Sequence, residues 1–133
     1  MNAINNEQWI NRWIQKAEID LNAAEKLCSF PDILTDIVCF HCQQSVEKAL
    51  KGFLISRSKE IGKIHDLVLL IEECSECDPS FQAYLNECSE LNSYAVDVRY
   101  PGPNDSCTED EARKALKFAV TIVAKVKGII KQN

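Results

Sequence analysis

Apolar residues recur at intervals of three and four along almost the whole chain, and no stretch alternates convincingly with the period of two that a half-buried strand requires. Trp9, Trp13, Ala17, Leu21, Ala24 and Leu27 predict an amphipathic helix over residues 7 to about 28, ending before Phe30-Pro31. A second, longer helix is predicted from about residue 32 to 58, broken by RSKEIGK with its Gly62. A short third helix follows His65-Asp66, with Leu67, Leu70 and Ile71 as its stripe and Asp66 as its cap, until cysteine and acid end it. Asp78-Pro79 offers a cap and a first-turn proline for a fourth, marked by Phe81, Tyr84, Leu85, Cys88, Leu91, Tyr94 and Val98 and closed by YPGPND. Thr108 to Glu111 has the capping-box pattern, and Ala112, Ala115, Leu116, Ala119, Ile122, Val123, Val126 and Ile130 carry a fifth helix to the C-terminus. The fold class is therefore all-α, an up-and-down helical bundle of about five helices in one domain over residues 1–133.

The second helix carries the most unusual pattern. At about 100° per residue, Val38, Cys39, Cys42, Val46, Ala49, Leu50, Phe53 and Leu54 share one broad apolar arc. His41, Gln44, Glu47, Lys48 and Lys51 fill the remaining arc, interrupted by Ile37 and Phe40. A solvated helix face usually mixes Glu and Lys, whereas His, Gln and two apolar residues among them point to partial covering by another helix or a second subunit. Solvated surface, interface and ligand site all remain open for these side chains.

Composition narrows the classes. The chain has 133 residues, which suits one core. Hydrophobic residues make up 46% and charged residues 26%, and no apolar run approaches a membrane span, so a soluble protein without membrane partners is expected. MNAINNEQWINRW lacks the basic start and apolar segment of a secretory signal, which makes the cytoplasm the default and the seven cysteines thiols. A net charge of -5 is the wrong sign for general phosphate neutralisation, so any nucleotide or RNA site must be local.

Cys39-Phe-His-Cys42 and Cys74-Ser-Glu-Cys77 suggest zinc, but 31 residues separate the pairs and the first lies mid-helix on the apolar arc. Cys39, Cys42 and Cys88 read instead as small buried apolar residues, with Cys28, Cys74, Cys77 and Cys107 near helix ends. A thioredoxin-type pair would need a preceding strand. No metal and no cofactor are expected. No phosphate-binding glycine loop, nucleophile elbow or carboxylate metal cluster is present in the sequence. The remaining polar signals, His65-Asp66 and Arg99-Tyr100, lie at helix boundaries, where a histidine can cap or pack and an arginine can pair with Asp97 or with helix two.

His41, Gln43-Gln44, Glu47 to Lys51, then His65-Asp66-Leu67, then Arg99-Tyr100-Pro101 and an Ala-rich last helix together resemble the HEPN domain family, and Trp13, Ala17, Asp20-Leu21 and Ala23 resemble its opening helix. The resemblance spans nearly the whole chain. It implies about five helices, frequent homodimers, association with nucleotides or RNA, and, in prokaryotes, action beside a minimal nucleotidyltransferase, often as a toxin–antitoxin pair. Ribonuclease members of the family resemble one another in an Arg followed after four to six residues by a His. Such a pair supplies the proton transfers and the cation that metal-independent RNA cleavage needs. Here Asn104, Asp105 and Ser106 stand where that His would fall after Arg99, and seven residues lie between Arg57 and His65. Whether the chain is an enzyme is left open by that departure.

Three functions follow. The first is a non-catalytic module that binds a nucleotide or partners a nucleotidyltransferase through His41, Gln44, Lys48, Lys51, His65, Asp66, Arg99 and Tyr100, the cations contacting phosphate and Gln44 a base or sugar. The second is an RNase that uses His41 or His65 with Arg99 across a dimer. The third is a structural role, in which the same residues fix helix packing or dimer register.

Overall fold

The order of elements is set by caps and by which stripe each helix buries. A computed structural model describes residues 5–97, 101–102 and 106–132, and side chains at 94–97 and 132 are left aside. Among the described residues the chain forms five α-helices and no strand. Helix α1 runs Asn6–Cys28. Its start is a reciprocal capping box, in which Gln8 N–H donates to the Asn5 side chain at 2.8 Å and Asn5 N–H to the Gln8 side chain at 2.9 Å.

Helix α2, Thr35–Ser56, is shorter at both ends than the sequence pattern predicts. Its N-cap, Leu34, has no side-chain bond to offer, and Asp36 in the first turn accepts from Cys107 N–H at 2.8 Å, across to the start of the last helix. The far end stops at a Schellman turn well before Gly62: Lys59 N–H reaches Leu54 O at 3.0 Å and Ser58 N–H reaches Ile55 O at 2.9 Å, with Ser58 at φ 60°.

α2 is the centre of the bundle and packs against all the other helices. Val38, Val46, Ala49, Leu50, Phe53 and Leu54 are fully buried. α1 runs antiparallel to it. The two backbones approach at Gly52, where a Cβ would lie 3.0 Å from Ile14 Cδ1 and 3.3 Å from Trp13 Cβ, and the buried Ser45 hydroxyl donates to Ala17 O at 2.8 Å.

Helix α3, Leu67–Cys77, is capped by Asp66, whose carboxylate accepts Val68 N–H at 2.9 Å. The predicted fourth helix is in two parts. Asp78 caps a 3-10 segment, Pro79–Tyr84, and α4, Leu85–Asp97, follows it. The tighter turn drives Phe81 into the core, its ring centroid 4.6 Å from that of Phe53. Helix α5, Glu109–Gln132, begins at the expected capping box, with bonds of 2.9 and 3.0 Å between Thr108 and Glu111. It lies antiparallel to α1, and Lys127 meets Glu18 at 3.1 Å. No helix among the described residues is long and apolar enough to cross a membrane.

Candidate functional site

Two carboxylates organise the polar side chains of α2. Asp20 stands in the stripe of α1 that faces α2, between the fully buried Ala17 and Ala24, and is itself 8% exposed. A carboxylate taken out of water there must be matched by donors. His41 and Lys48, two helical turns apart on α2, both supply them: His41 Nδ1 donates to Oδ1 at 3.0 Å and Lys48 Nζ to Oδ2. The acceptor-only carboxylate fixes the proton of His41 on Nδ1 and leaves Nε2 outside that bond. His41 and Lys48 keep about a quarter of their side-chain surface open, at 27% and 24%.

Glu47 organises the second set. Lys51 Nζ donates to its Oε2 at 3.1 Å, and both side chains are 5% exposed. His65 Nδ1 lies 3.1 Å from the same oxygen, at the surface on the loop before α3. Gln43 Nε2 donates to Glu47 Oε1 at 3.4 Å and to His65 O at 3.3 Å, while Gln44 Nε2 donates to Gln43 Oε1 at 2.7 Å. Trp13 closes the other side, its ring 5.5 Å below the Lys51 ammonium. Among the described residues no buried side-chain nitrogen or oxygen lacks a hydrogen-bond partner.

The polar arc of α2 is thus not uniformly outward. His41, Gln44 and Lys48 are partly exposed, but Lys51 and Glu47, expected on the same outer face, are at 4% and belong to the interior. The arc faces two ways because the His65 loop and Trp13 fold over its far edge. Asp66 serves α3 as its cap and accepts from Asn92 Nδ2 at 2.7 Å, apart from both sets. Arg99 and Tyr100 lie outside the described residues. The two histidines are tied to different carboxylates, one on α1 and one on α2. Asp20, Glu47 and Gln43 are the organising residues that a search for candidate ligating groups passes over. The signal for Asp20 was a carboxylate inside an apolar stripe.

Six of the seven thiols are buried, and Cys77 is half-buried. Burial, with Cys28 and Cys107 nearby, pushes the Cys42 thiol up to about 12, and burial does the same for Cys88. Cys39 and Cys74 are raised further by the same cause. Among the described residues no group of three or more His, Cys, Asp or Glu side chains is placed to hold a metal ion. A surface groove of about 390 Å³ runs between α4 and α5 over Leu91, Ala115 and Phe118 and touches none of the candidate residues among those described.

The arrangement can be set beside known proteins. Comparison with curated proteins gives no match. Among solved structures, TT1696 from Thermus thermophilus superposes with a TM-score of 0.76 over 90% of this chain and 96% of that one, at 24% identity, which establishes likeness of fold. ST0689, described as an archaeal HEPN homologue, is 29% identical over 91% of this chain and 97% of its own, with a TM-score of 0.67. The model of the HEPN domain matches residues 10–129, which takes in Asp20, Glu47 and the side chains that meet them, and the chain therefore belongs to the HEPN domain family.

Proposed function

We propose that this chain is a non-catalytic HEPN binding module that engages a nucleotide, free or presented by a nucleotidyltransferase partner, across the outer face of α2. One observation carries the reading. His41 and Lys48 are held from behind by the same buried carboxylate, so that partly open donors stand in fixed positions beside Gln44. Groups braced in this way lose less entropy on binding than free side chains do. Ile37, 44% exposed, and the half-buried Phe40 continue the face in apolar character, which suits a protein partner delivering the nucleotide. A role in a toxin–antitoxin pair and assembly as a homodimer belong to the same proposal.

A packing role fits one part of the set. Glu47, Lys51 and Gln43 are closed in by neighbours and leave little surface for a ligand, which favours a structural reading of those three. The test is thermal stability of the purified protein against nucleoside mono-, di- and triphosphates, repeated with Lys48→Ala and His41→Ala. Binding at a hundredfold excess over Kd stabilises by about 2.7 kcal/mol. A rise in Tm with the unchanged protein that both variants lose supports the proposal. No rise with any nucleotide, with or without a co-expressed nucleotidyltransferase, sinks it.

A further inference from the structure

The charges of α1 are segregated by side. At about 100° per residue, Arg12, Lys16 and Lys26 fall with Trp9, Ile19 and Ala23 in an arc of about 100°, and no acid lies among them. Glu7, Glu18 and Glu25 all fall on the opposite flank, where Glu18 pairs with Lys127 of α5. A solvated helix usually interleaves the two signs. The basic arc is free surface: Trp9 is 45% and Ile19 62% exposed, and Arg12, Lys16 and Lys26 are exposed. Arg12 lies 5.9 Å from the centre of the Trp9 ring, and among the described residues none of the three cations forms an ion pair.

The arc also borders the α2 face. Asp20, one turn after Lys16, is the residue that holds His41 and Lys48, and Asn6 Nδ2 bonds Ile55 O at 3.3 Å at the other end of the same seam. Lys48 is neutralised there by Asp20 and Lys51 by Glu47. The α1 cations are therefore the uncompensated positive charge beside the proposed nucleotide face.

We infer that Trp9, Arg12 and Lys16 form a subsite for single-stranded nucleic acid, with a base stacked on the Trp9 ring and the backbone phosphates following the cations along α1. The inference rests on the nucleotide reading of the neighbouring α2 face and extends it from a mononucleotide to a strand. Stacking on an exposed indole is indifferent to sequence, and a row of cations tracks a backbone. Arg12 to Lys26 spans about 21 Å of helix, further than the phosphates of one mononucleotide reach. This local charge is what lets a chain of net charge -5 hold a polyanion.

The sequence has two tryptophans, of which Trp9 lies on this arc and Trp13 covers Lys51, so the part of the emission change that Trp9→Ala removes reports this flank. The probe is a fluorescently labelled dodecauridylate, followed by anisotropy at low salt, with emission quenching read on the unlabelled oligomer. Quenching is expected, with affinity weakened about 5- to 150-fold by Trp9→Ala. Arg12→Ala and Lys16→Ala should each lower the steepness of the salt dependence by about one unit. Glu7→Gln and Glu25→Gln, on the opposite flank, should not weaken binding. All five positions are exposed, so far-ultraviolet circular dichroism should be unchanged throughout.

If the oligomer binds no more tightly than uridine monophosphate, or binds equally well to the three α1 variants, the inference is overturned. Mononucleotide binding that depends on Lys48 would then leave the α2 reading standing alone. Oligomer binding lost in the α1 variants but kept in Lys48→Ala would support the strand subsite and remove the α2 reading. Absence of binding by either ligand would overturn both.

Discussion

Asp20 and Glu47 present the same chemistry in two settings. Each carboxylate receives one lysine and one histidine, and both lysines and one histidine stand on α2. Around Glu47 the lysine is sealed and the histidine is at the surface, whereas around Asp20 both partners are partly open. Burial decides what each set can do. A sealed pair has exchanged hydration for one geometry and is sensitive to loss of either partner, while a half-open set keeps faces that a ligand can use. The same helix therefore carries a packing device and, one turn away, the candidate binding surface.

The sharpest way to break this comparison is Lys51→Ala, which leaves Glu47 without its ammonium in the interior. It should cost about 3–5 kcal/mol, read from the urea midpoint, whereas the double change Glu47→Gln with Lys51→Met should recover most of the loss. A cost below about 1 kcal/mol would mean that water reaches the pair and that the two sets do not differ. Asp20→Ala should cost less, about 1.5–3 kcal/mol for bonds to charged groups, because His41 and Lys48 can turn to solvent. It should also abolish any nucleotide-induced rise in Tm, which Lys51→Met with Glu47→Gln should retain.

The thiols test the sealing of the core by pH. Cys42 and Cys88 are raised to about 12, so the native state keeps their protons at pH values where the unfolded chain loses them. Their contribution is complete below the unfolded value near 9 and is lost as pH rises towards 12, by about 1.4 kcal/mol per thiol at pH 10. Urea midpoints at pH 8 and 10 measure it, and Cys77 should be the first thiol to react with a disulfide reagent in the native protein. The smallest effect belongs to His65→Ala. At 74% side-chain exposure its bond to Glu47 should contribute less than about 1 kcal/mol, and equal midpoints in low and high salt would leave it as cover for the pair.

The sequence showed most where its signals are local. The stripe of α5 and its Thr108 box fall where the pattern puts them, because cap and periodicity are properties of adjacent residues. The division of the fourth helix was hidden, since Asp78-Pro79 begins a 3-10 turn as readily as an α-helix and the choice depends on Phe81 meeting Phe53 from another element. The limits of α2 were likewise set elsewhere, by Asp36 reaching Cys107 and by the turn at Ser58.

For the site, helical angles grouped His41, Gln44 and Lys48 as one face, and all three are partly exposed. They could not separate off Lys51, because an angle gives a direction and not the neighbour that lies there. Trp13 and the His65 loop come from distant sequence. Asp20 is legible as a carboxylate between alanines of a buried stripe, which must find donors on a neighbouring helix.

The turn after α2 holds a reserve. Ser58 sits at φ 60°, a conformation that costs an L side chain about 1–2 kcal/mol and that glycine adopts freely. The loop it launches delivers His65 to Glu47, so the geometry at Ser58 sets where the lid of the sealed pair comes down. Ser58→Gly would relieve that cost without touching the outer face of α2.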